Sequence, residues 1–389
     1  MGTPRGSSKK IEETAQALVP QVPELKYHHL FSGRDFDLFD EKSNYDKQTK
    51  RLNEARQGAV KTIFEAGGLS VALAFAQSVP APNEVGRALG VIAPKGVEDE
   101  ILPSQLNAED ETMRQVVASF VWTRYRKLQW TWVDAILERN WNAEQKAAFL
   151  MLLPFEEKVW HRVSAHLGKQ NEKLYWQKTR VGFGRDLTIA VQKLLEYGRA
   201  TAAVECIART TDDDEQFDVS LATETLLALI ETFSPGDQLD RYGTVELIKR
   251  LQKSPDADQD ALFKIEWTFL PWLDQFSSGS PITLEKHLAS DPTFFAKIVK
   301  IVFRSKNDKE EDAEPDEQKQ ARWRNAYKLL REWKKCPGTL PDGTLDVNAF
   351  NNWINEARRI TEETGHWEVA QTQIGHILRG LCSKVAWRP

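Results

Sequence analysis

The sequence is poor in cysteine: Cys206, Cys336 and Cys382 are the only three in 389 residues. They are odd in number and far apart and form no CxxC pair. This excludes a disulfide framework and a zinc site of ordinary spacing. They read as reduced thiols, which sets the expectation of a cytoplasmic protein. No apolar run reaches about 18 residues, so no membrane span and no membrane partner are expected. Met1 to Lys10 is rich in glycine, serine and lysine, with no apolar stretch behind it. It does not read as a secretory signal, and residues 1–23 read as a flexible tail. An excess of positive charge is also lacking, since 52 Lys and Arg stand against 57 Asp and Glu for a net charge of −5. Proteins that live on phosphate backbones usually carry a basic face or domain. The overall balance gives no such support, although a local patch fits within it.

Catalytic motifs are missing as well. No GxxxxGK[ST] loop is present, and the nearest glycine cluster, Gly182-Phe183-Gly184-Arg185, lacks the lysine and the third glycine. It reads as a loop between helices. There is no HExxH and no GxSxG. His161 and His166 are five residues apart, off one helical face, whereas chelation by a helix needs a separation of three or four. His28 and His29 would need distant partners to hold a metal. The carboxylate runs Asp212-Asp213-Asp214, Glu310-Glu311 and Glu362-Glu363 lie in polar stretches. General acid–base work needs carboxylates at a defined separation in a cleft, and adjacent acids in loops face water instead. Cys336 is the one thiol whose neighbours, Lys334 and Lys335, are of the kind that lower a thiol pKa. The expectation is a chain that is not an enzyme and carries no cofactor or metal.

What is plentiful is helix. The chain exceeds the length at which single cores stop growing, and its 41% hydrophobic and 28% charged residues suit a globular interior. Helices are predicted from Asn44 to Ala66, from Leu69 to Val79 and from Glu84 to Ile92. Pro94 to Pro103, with its proline, glycine and acids, is a linker candidate. From Thr112 to Glu138, Val117, Phe120, Val121, Leu128, Trp132 and Ile136 form a stripe at helical spacing. Asn142 with Gln145 resembles a capping box, and Ser290-Asp291-Pro292 is a cap followed by proline in the first turn. Trp323, Tyr327, Leu330 and Trp333 stripe one late helix; Phe350, Trp353, Ile354, Ala357 and Ile360 stripe another. No alternating strand is evident. Between Lys306 and Glu317 seven acids face two lysines, a solvated linker. The regions read are 1–23 (tail), 24–105, 106–305, an acidic linker over 306–318, and 319–389.

One self-similarity stands out. Val60 to Gly68 matches Val191 to Arg199, each a helix stopped by glycine at Gly67 or Gly198. In both places a second helix of small residues follows at once, Leu69 to Ala76 and Ala200 to Ala208. Small side chains let that second helix approach its neighbour closely. The pattern is similar to degenerate tetratricopeptide-like and HEAT-like repeats in the sensing regions of large bacterial multidomain proteins, including defence and signalling ATPases. That resemblance implies an all-α fold, an irregular α-solenoid of stacked helical hairpins, acting as a sensor or scaffold module. The full tetratricopeptide signature is absent, so no functional residue carries over.

Function is therefore expected in a binding surface. Arg124-Tyr125-Arg126-Lys127, with Trp122, Trp130 and Trp132 around it, puts guanidiniums and rings together on one long helix. Tryptophan and arginine are the usual anchors of protein interfaces, and the same chemistry stacks single-stranded nucleic acid. The competing structural reading is an amphipathic helix with a charged outer face and an aromatic inner one. Lys178, Arg180 and Arg185 would extend a basic patch if they fold nearby. The candidate partner-binding residues are Trp122, Arg124, Tyr125 and Arg126. A protein partner is the leading reading, and a helical RNA- or DNA-binding protein is the alternative.

Overall fold

The computed structural model describes residues 22–33, 45–106, 108–182, 187–208, 217–232, 239–273, 279–303, 316–340 and 342–382. The fold is all-α. Among the described residues the only β feature is an isolated antiparallel bridge between Thr339 and Leu345. The chain divides into two compact units, Met1–Gly182 and Phe183–Pro389, each described by itself.

In the first unit, α1 (Pro23–Tyr27) runs into a 3₁₀ turn over His28–Phe31, and α2 spans Tyr45–Ser78. Then come α3 (Pro82–Ile92), α4 (Val97–Gln105), α5 (Glu111–Leu137), α6 (Ala143–Leu150), α7 (Glu157–Asn171) and α8 (Lys173–Trp176). The ladder of α2 breaks at Gly67 and Gly68, the latter at φ +70°, where the sequence places the end of one helix and the start of the next. One 18-residue window of α2 has a mean hydropathy of 1.4, and 33% of it is buried. By length and composition this helix is able to cross a membrane, a property the reading of its two halves as separate short helices does not anticipate.

Glycine also governs the packing of α3 on α5. A Cβ added at Gly86 would lie 2.1 Å from the carbonyl oxygen of Val116, and one at Gly90 would lie 2.7 Å from Cβ of Thr123. Only bare glycine at these positions, four residues apart on one face, lets the two backbones approach so closely. The stretch read as a linker from Pro94 to Pro103 turns out to hold most of α4. Its first turn holds Glu98, Asp99 and Glu100, which favour a helix N-terminus, and Val97, Ile101 and Leu102 are buried. Pro103 sits inside it near the end. The capping box of α6 forms as the sequence indicates, with Asn142 Oδ1 accepting from Gln145 N at 2.8 Å and Gln145 Oε1 accepting from Asn142 N at 3.1 Å.

The second unit contains α9 (Thr188–Glu196), α10 (Ala200–Ala208), α11 (Val219–Thr232), α12 (Arg241–Lys253) and α13 (Gln259–Phe269). After a 3₁₀ turn over Leu270–Trp272 follow α14 (Ile282–Ser290), α15 (Pro292–Val302), α16 (Asp316–Glu332), α17 (Val347–Glu363) and α18 (Trp367–Cys382). Gly198, at φ +71°, separates α9 from α10, and these two helices pack on each other. The cap at Asp291 is present and accepts from Thr293 N at 2.8 Å. Helix α14 is capped from a distance: the buried carboxylate of Glu266 accepts from the backbone N–H of Thr283 and of Leu284, and from Gln252. Removal from water pushes this carboxyl upward in pKa against those hydrogen bonds.

One hydrophobic core joins Leu284, Leu288, Phe295 and Val299 to Leu329, Trp333, Trp353 and Ala370. It therefore runs across both sides of the acidic stretch 306–318, and the expected division of 319–389 from the preceding helices does not separate two cores. Most of that stretch, like most of the tail over 1–23, lies outside the described residues. Buried Cys336 departs from its lysine-based expectation: it is 3% exposed, and desolvation pushes its thiol up rather than down.

Candidate functional site

Helix α5 starts at Asp110, whose carboxylate accepts from Thr112 N and Met113 N. Val116, Val117, Phe120 and Val121 turn inward and are essentially inaccessible. Arg124 lies seven residues after Val117, on the same inward stripe, and is itself only 5% exposed. The placement of Arg124 on an outer binding face is thus overturned. Its guanidinium donates to the carbonyls of Ala93 at 2.5 Å and Pro94 at 3.1 Å, and its Nε stands 3.3 Å from Oε1 of Glu98. Glu98 is 4% exposed. Its remaining capacity is taken by Trp132 Nε1 at 3.2 Å and by Gly96 N at 2.9 Å. A buried charge pair survives when such additional hydrogen bonds offset its desolvation. Arg124 is a structural tie between α5, the start of α4 and the turn before it.

After Arg124 the helix leaves its stripe. Leu128, read as an inner residue, is 40% exposed. Gln129 adopts φ 58°, ψ −159°, a left-handed geometry that ordinary side chains avoid. Its side chain donates to the Arg126 carbonyl at 2.8 Å. The break resets the register, so that Trp132, Val133, Ile136 and Leu137 turn inward. It also swings Trp130 onto Tyr125, with ring centroids 4.9 Å apart. Arg162 from α7 lies 4.2 Å above Trp130 and pairs through two contacts, 2.7 and 3.1 Å, with Asp134. Tyr125 is half-buried. Desolvation, and then the Glu156 carboxylate, push its phenol upward in pKa, so it is a neutral ring at physiological pH.

The other two candidates remain outside. Trp122 is 44% exposed, with its ring 5.9 Å from Tyr125. Arg126 is exposed and its guanidinium has no partner among the described residues. Trp122 and Arg126 line one side of a cleft of about 540 Å³ between α2, α3 and α5. Ala88, Val91 and Thr123 complete the part nearest α5, and Asn53 and Gln57 of α2 supply amides from the opposite wall. Charge is strongly one-sided, because Arg56, Arg87, Arg126 and Lys127 face a single carboxylate, Glu84. Glu84 is shared: it lies 3.1 Å from the buried Arg56 and 3.4 Å from the exposed Arg87. Arg56 is further fixed by a 2.8 Å bond to the Leu30 carbonyl. Lys127 donates to the Val91 carbonyl at 3.1 Å, a contact that orients the ammonium without neutralising it.

The structure therefore brings Trp122 and Arg126 to one cleft, places Tyr125 beside it as a ring support, and removes Arg124 to the interior. Sequence reasoning missed Asn53, Gln57 and Arg87, since nothing in their spacing ties α2 and α3 to α5; the Gly86–Gly90 pair was the available signal. Arg180 does not extend the patch. Its charge acts on Glu111 at the start of α5, about 22 Å along the helix from Arg126 at 1.5 Å per residue. Among the described residues the lining offers no second carboxylate and no thiol, imidazole or serine hydroxyl; its side chains are chemically suited to an anion beside a ring. Among the described residues no three His, Cys, Asp or Glu side chains gather as a metal site would require. No family model matches the chain, and no curated protein and no solved structure matches it either.

Proposed function

We propose that this chain is a non-catalytic, cytoplasmic recognition protein that holds a protein partner through the cleft between α2, α3 and α5. The observation that carries this reading is the cleft's excess of cationic side chains beside an exposed indole, in a unit otherwise given over to packing. Arginine and tryptophan are the side chains that most often anchor protein interfaces. The helix pairs fit the irregular α-solenoid kind of architecture, in which inner stripes are used for stacking and the remaining faces are free to bind. The apolar window of α2 is read as a core element: the break at Gly67 and Gly68 would leave backbone groups without partners inside a bilayer.

The test is retention of partners from source-cell lysate on the immobilised full chain, with mass spectrometry of both protein and nucleic acid. The wild type should retain a protein at moderate salt, and Arg126→Glu combined with Lys127→Glu should release it while the melting temperature stays nearly unchanged. Retention of nucleic acid that falls steeply with salt would favour the alternative of an RNA- or DNA-binding protein. Turnover of a small molecule abolished by one point mutation would refute the non-enzymatic reading.

A further inference from the structure

We infer that the cleft between α2, α3 and α5 takes an acidic segment of the partner chain, with carboxylates on Arg87, Arg126 and Lys127 and an apolar side chain against Trp122. This rests on the recognition reading above and specifies its chemistry. Glu84 divides one carboxylate between two cations, its Oε2 3.1 Å from the buried Arg56 and its Oε1 3.4 Å from Arg87. The rim is thereby left with three cations whose compensation by the protein itself is slight. Arg126 has no side-chain partner among the described residues, and Lys127 is tied to a carbonyl, which holds it in place and leaves its charge. Carboxylates paired to guanidiniums in a partly enclosed site make the stronger, charge-assisted class of hydrogen bond. Asn53 and Gln57, four residues apart on one face of α2 and half-buried, present donor and acceptor amides suited to a peptide backbone.

The charge and size of the cleft favour a peptide over a nucleic acid. A polyanion needs a long basic track, and its affinity scales with the number of phosphates neutralised. Here three cations gather in about 540 Å³ on a chain of net charge −5, and that overall charge repels an extended polyanion while permitting a short acidic stretch. The cleft size falls within the range of roughly 300–1,000 Å³ that suits compact ligands. Trp122 is backed by Tyr125, which Trp130 and Arg162 support in turn, so the indole presents a braced apolar surface.

The test uses the full chain and two dye-labelled octapeptides, followed by fluorescence anisotropy. One carries glutamates around a central phenylalanine, and in the other every glutamate is glutamine. The glutamate peptide should bind at least about tenfold more tightly, and the double variant Arg126→Glu, Lys127→Glu should lose about tenfold or more. Trp122→Ala should weaken both peptides alike. If the charge-reversed protein melts early, Arg126→Gln with Lys127→Gln replaces it. Equal binding of the two peptides, or an unchanged affinity in the charge variant, overturns the proposal. So does tighter binding of a dye-labelled oligothymidylate with a steep salt dependence. If lysate partner retention depends on Arg126 but the glutamate peptide fails to compete, this assignment falls and the recognition reading stands. If the peptide binds through Arg126 but no protein is retained from lysate, the recognition reading falls and the acidic-ligand site stands.

Discussion

Replacing Gly86 with alanine would put a methyl carbon 2.1 Å from the carbonyl oxygen of Val116. Nothing soft can give way there, because the obstacle is the backbone of α5 and not the end of a side chain. The two helices must move apart, and the buried contacts of Val85, Leu89, Val117 and Phe120 loosen with them. Overpacking of this kind costs typically about 1–3 kcal/mol, and a clash with backbone belongs at the upper end. Against it stands the gain of about 1 kcal/mol for alanine over glycine inside a helix. The net expectation is a loss of about 2 kcal/mol, which for a unit of this size lowers the melting temperature by about 4–8 °C. Gly58 on α2 is the internal control, since an added Cβ meets nothing within 4 Å. Gly58→Ala should stabilise by about 0.5–1 kcal/mol. Thermal unfolding followed by far-ultraviolet circular dichroism measures both. A Gly86→Ala protein as stable as Gly58→Ala would refute the close approach of α3 and α5, and with it the floor of the cleft.

Arg124→Met should destabilise by about 3–5 kcal/mol in urea unfolding, because it leaves the Glu98 carboxylate buried and unpaired; adding Glu98→Gln should restore most of the loss, and a single-variant cost under about 1 kcal/mol would return Arg124 to the surface. Tyr175 is 1% exposed, and burial pushes its phenol up to about 12 from an ordinary value of 10.0. The folded state thus favours the neutral phenol. The contribution is fully present below pH 10 and is lost as pH rises through about 12, amounting to about 3 kcal/mol at the end of that window. Tyrosinate absorbance should show one phenol titrating last, a step that Tyr175→Phe removes; titration of all tyrosines near pH 10 in folded protein would contradict the burial. Gln129→Gly should raise stability by about 1 kcal/mol, by relieving a left-handed backbone that glycine adopts freely, and a lower melting temperature would show that the side chain's bond to Arg126 outweighs the strain.

Helix positions were legible wherever a local signal was complete. Asn142 with Gln145 and Asp291 with Pro292 start helices where their side chains can reach orphan N–H groups, and both do so. Gly67 and Gly198 end runs because a residue at positive φ follows or sits there. Helix α4 was hidden because proline, glycine and three acids look like a linker, although acids in a first turn stabilise a helix and proline near its end removes only one ladder bond. In the candidate site, Trp122 and Arg126 were readable as exposed. Arg124 was also readable in principle, as it continues the Val117, Phe120, Val121 stripe. Extending that stripe to Leu128 concealed it, since one unbroken period was assumed through Gln129. The walls contributed by Asn53, Gln57 and Arg87 depend on how α2 and α3 pack, and a side chain's own sequence neighbours carry no information about a partner helix some 40 to 70 residues away.

Arg124 and Arg126 are two residues apart and have opposite roles, and the reason lies in helical geometry. Two positions on a helix differ by about 200° of rotation at 3.6 residues per turn. When one arginine points into the interior, the other must point away from it. The inward one is retained only because Glu98, two carbonyls and a tryptophan N–H surround the ion pair with hydrogen bonds. The outward one meets no such shell, and its charge stays available at the cleft. The break at Gln129 then prevents the inner stripe of the second half of α5 from continuing that of the first. Trp130 is thereby free to brace Tyr125 beside Trp122 while Trp132 closes on Glu98. The rim thus owes its rigidity to the buried network beneath it. Changes at Arg124 are expected to act on binding through the fold, whereas changes at Arg126 and Lys127 act on the ligand itself.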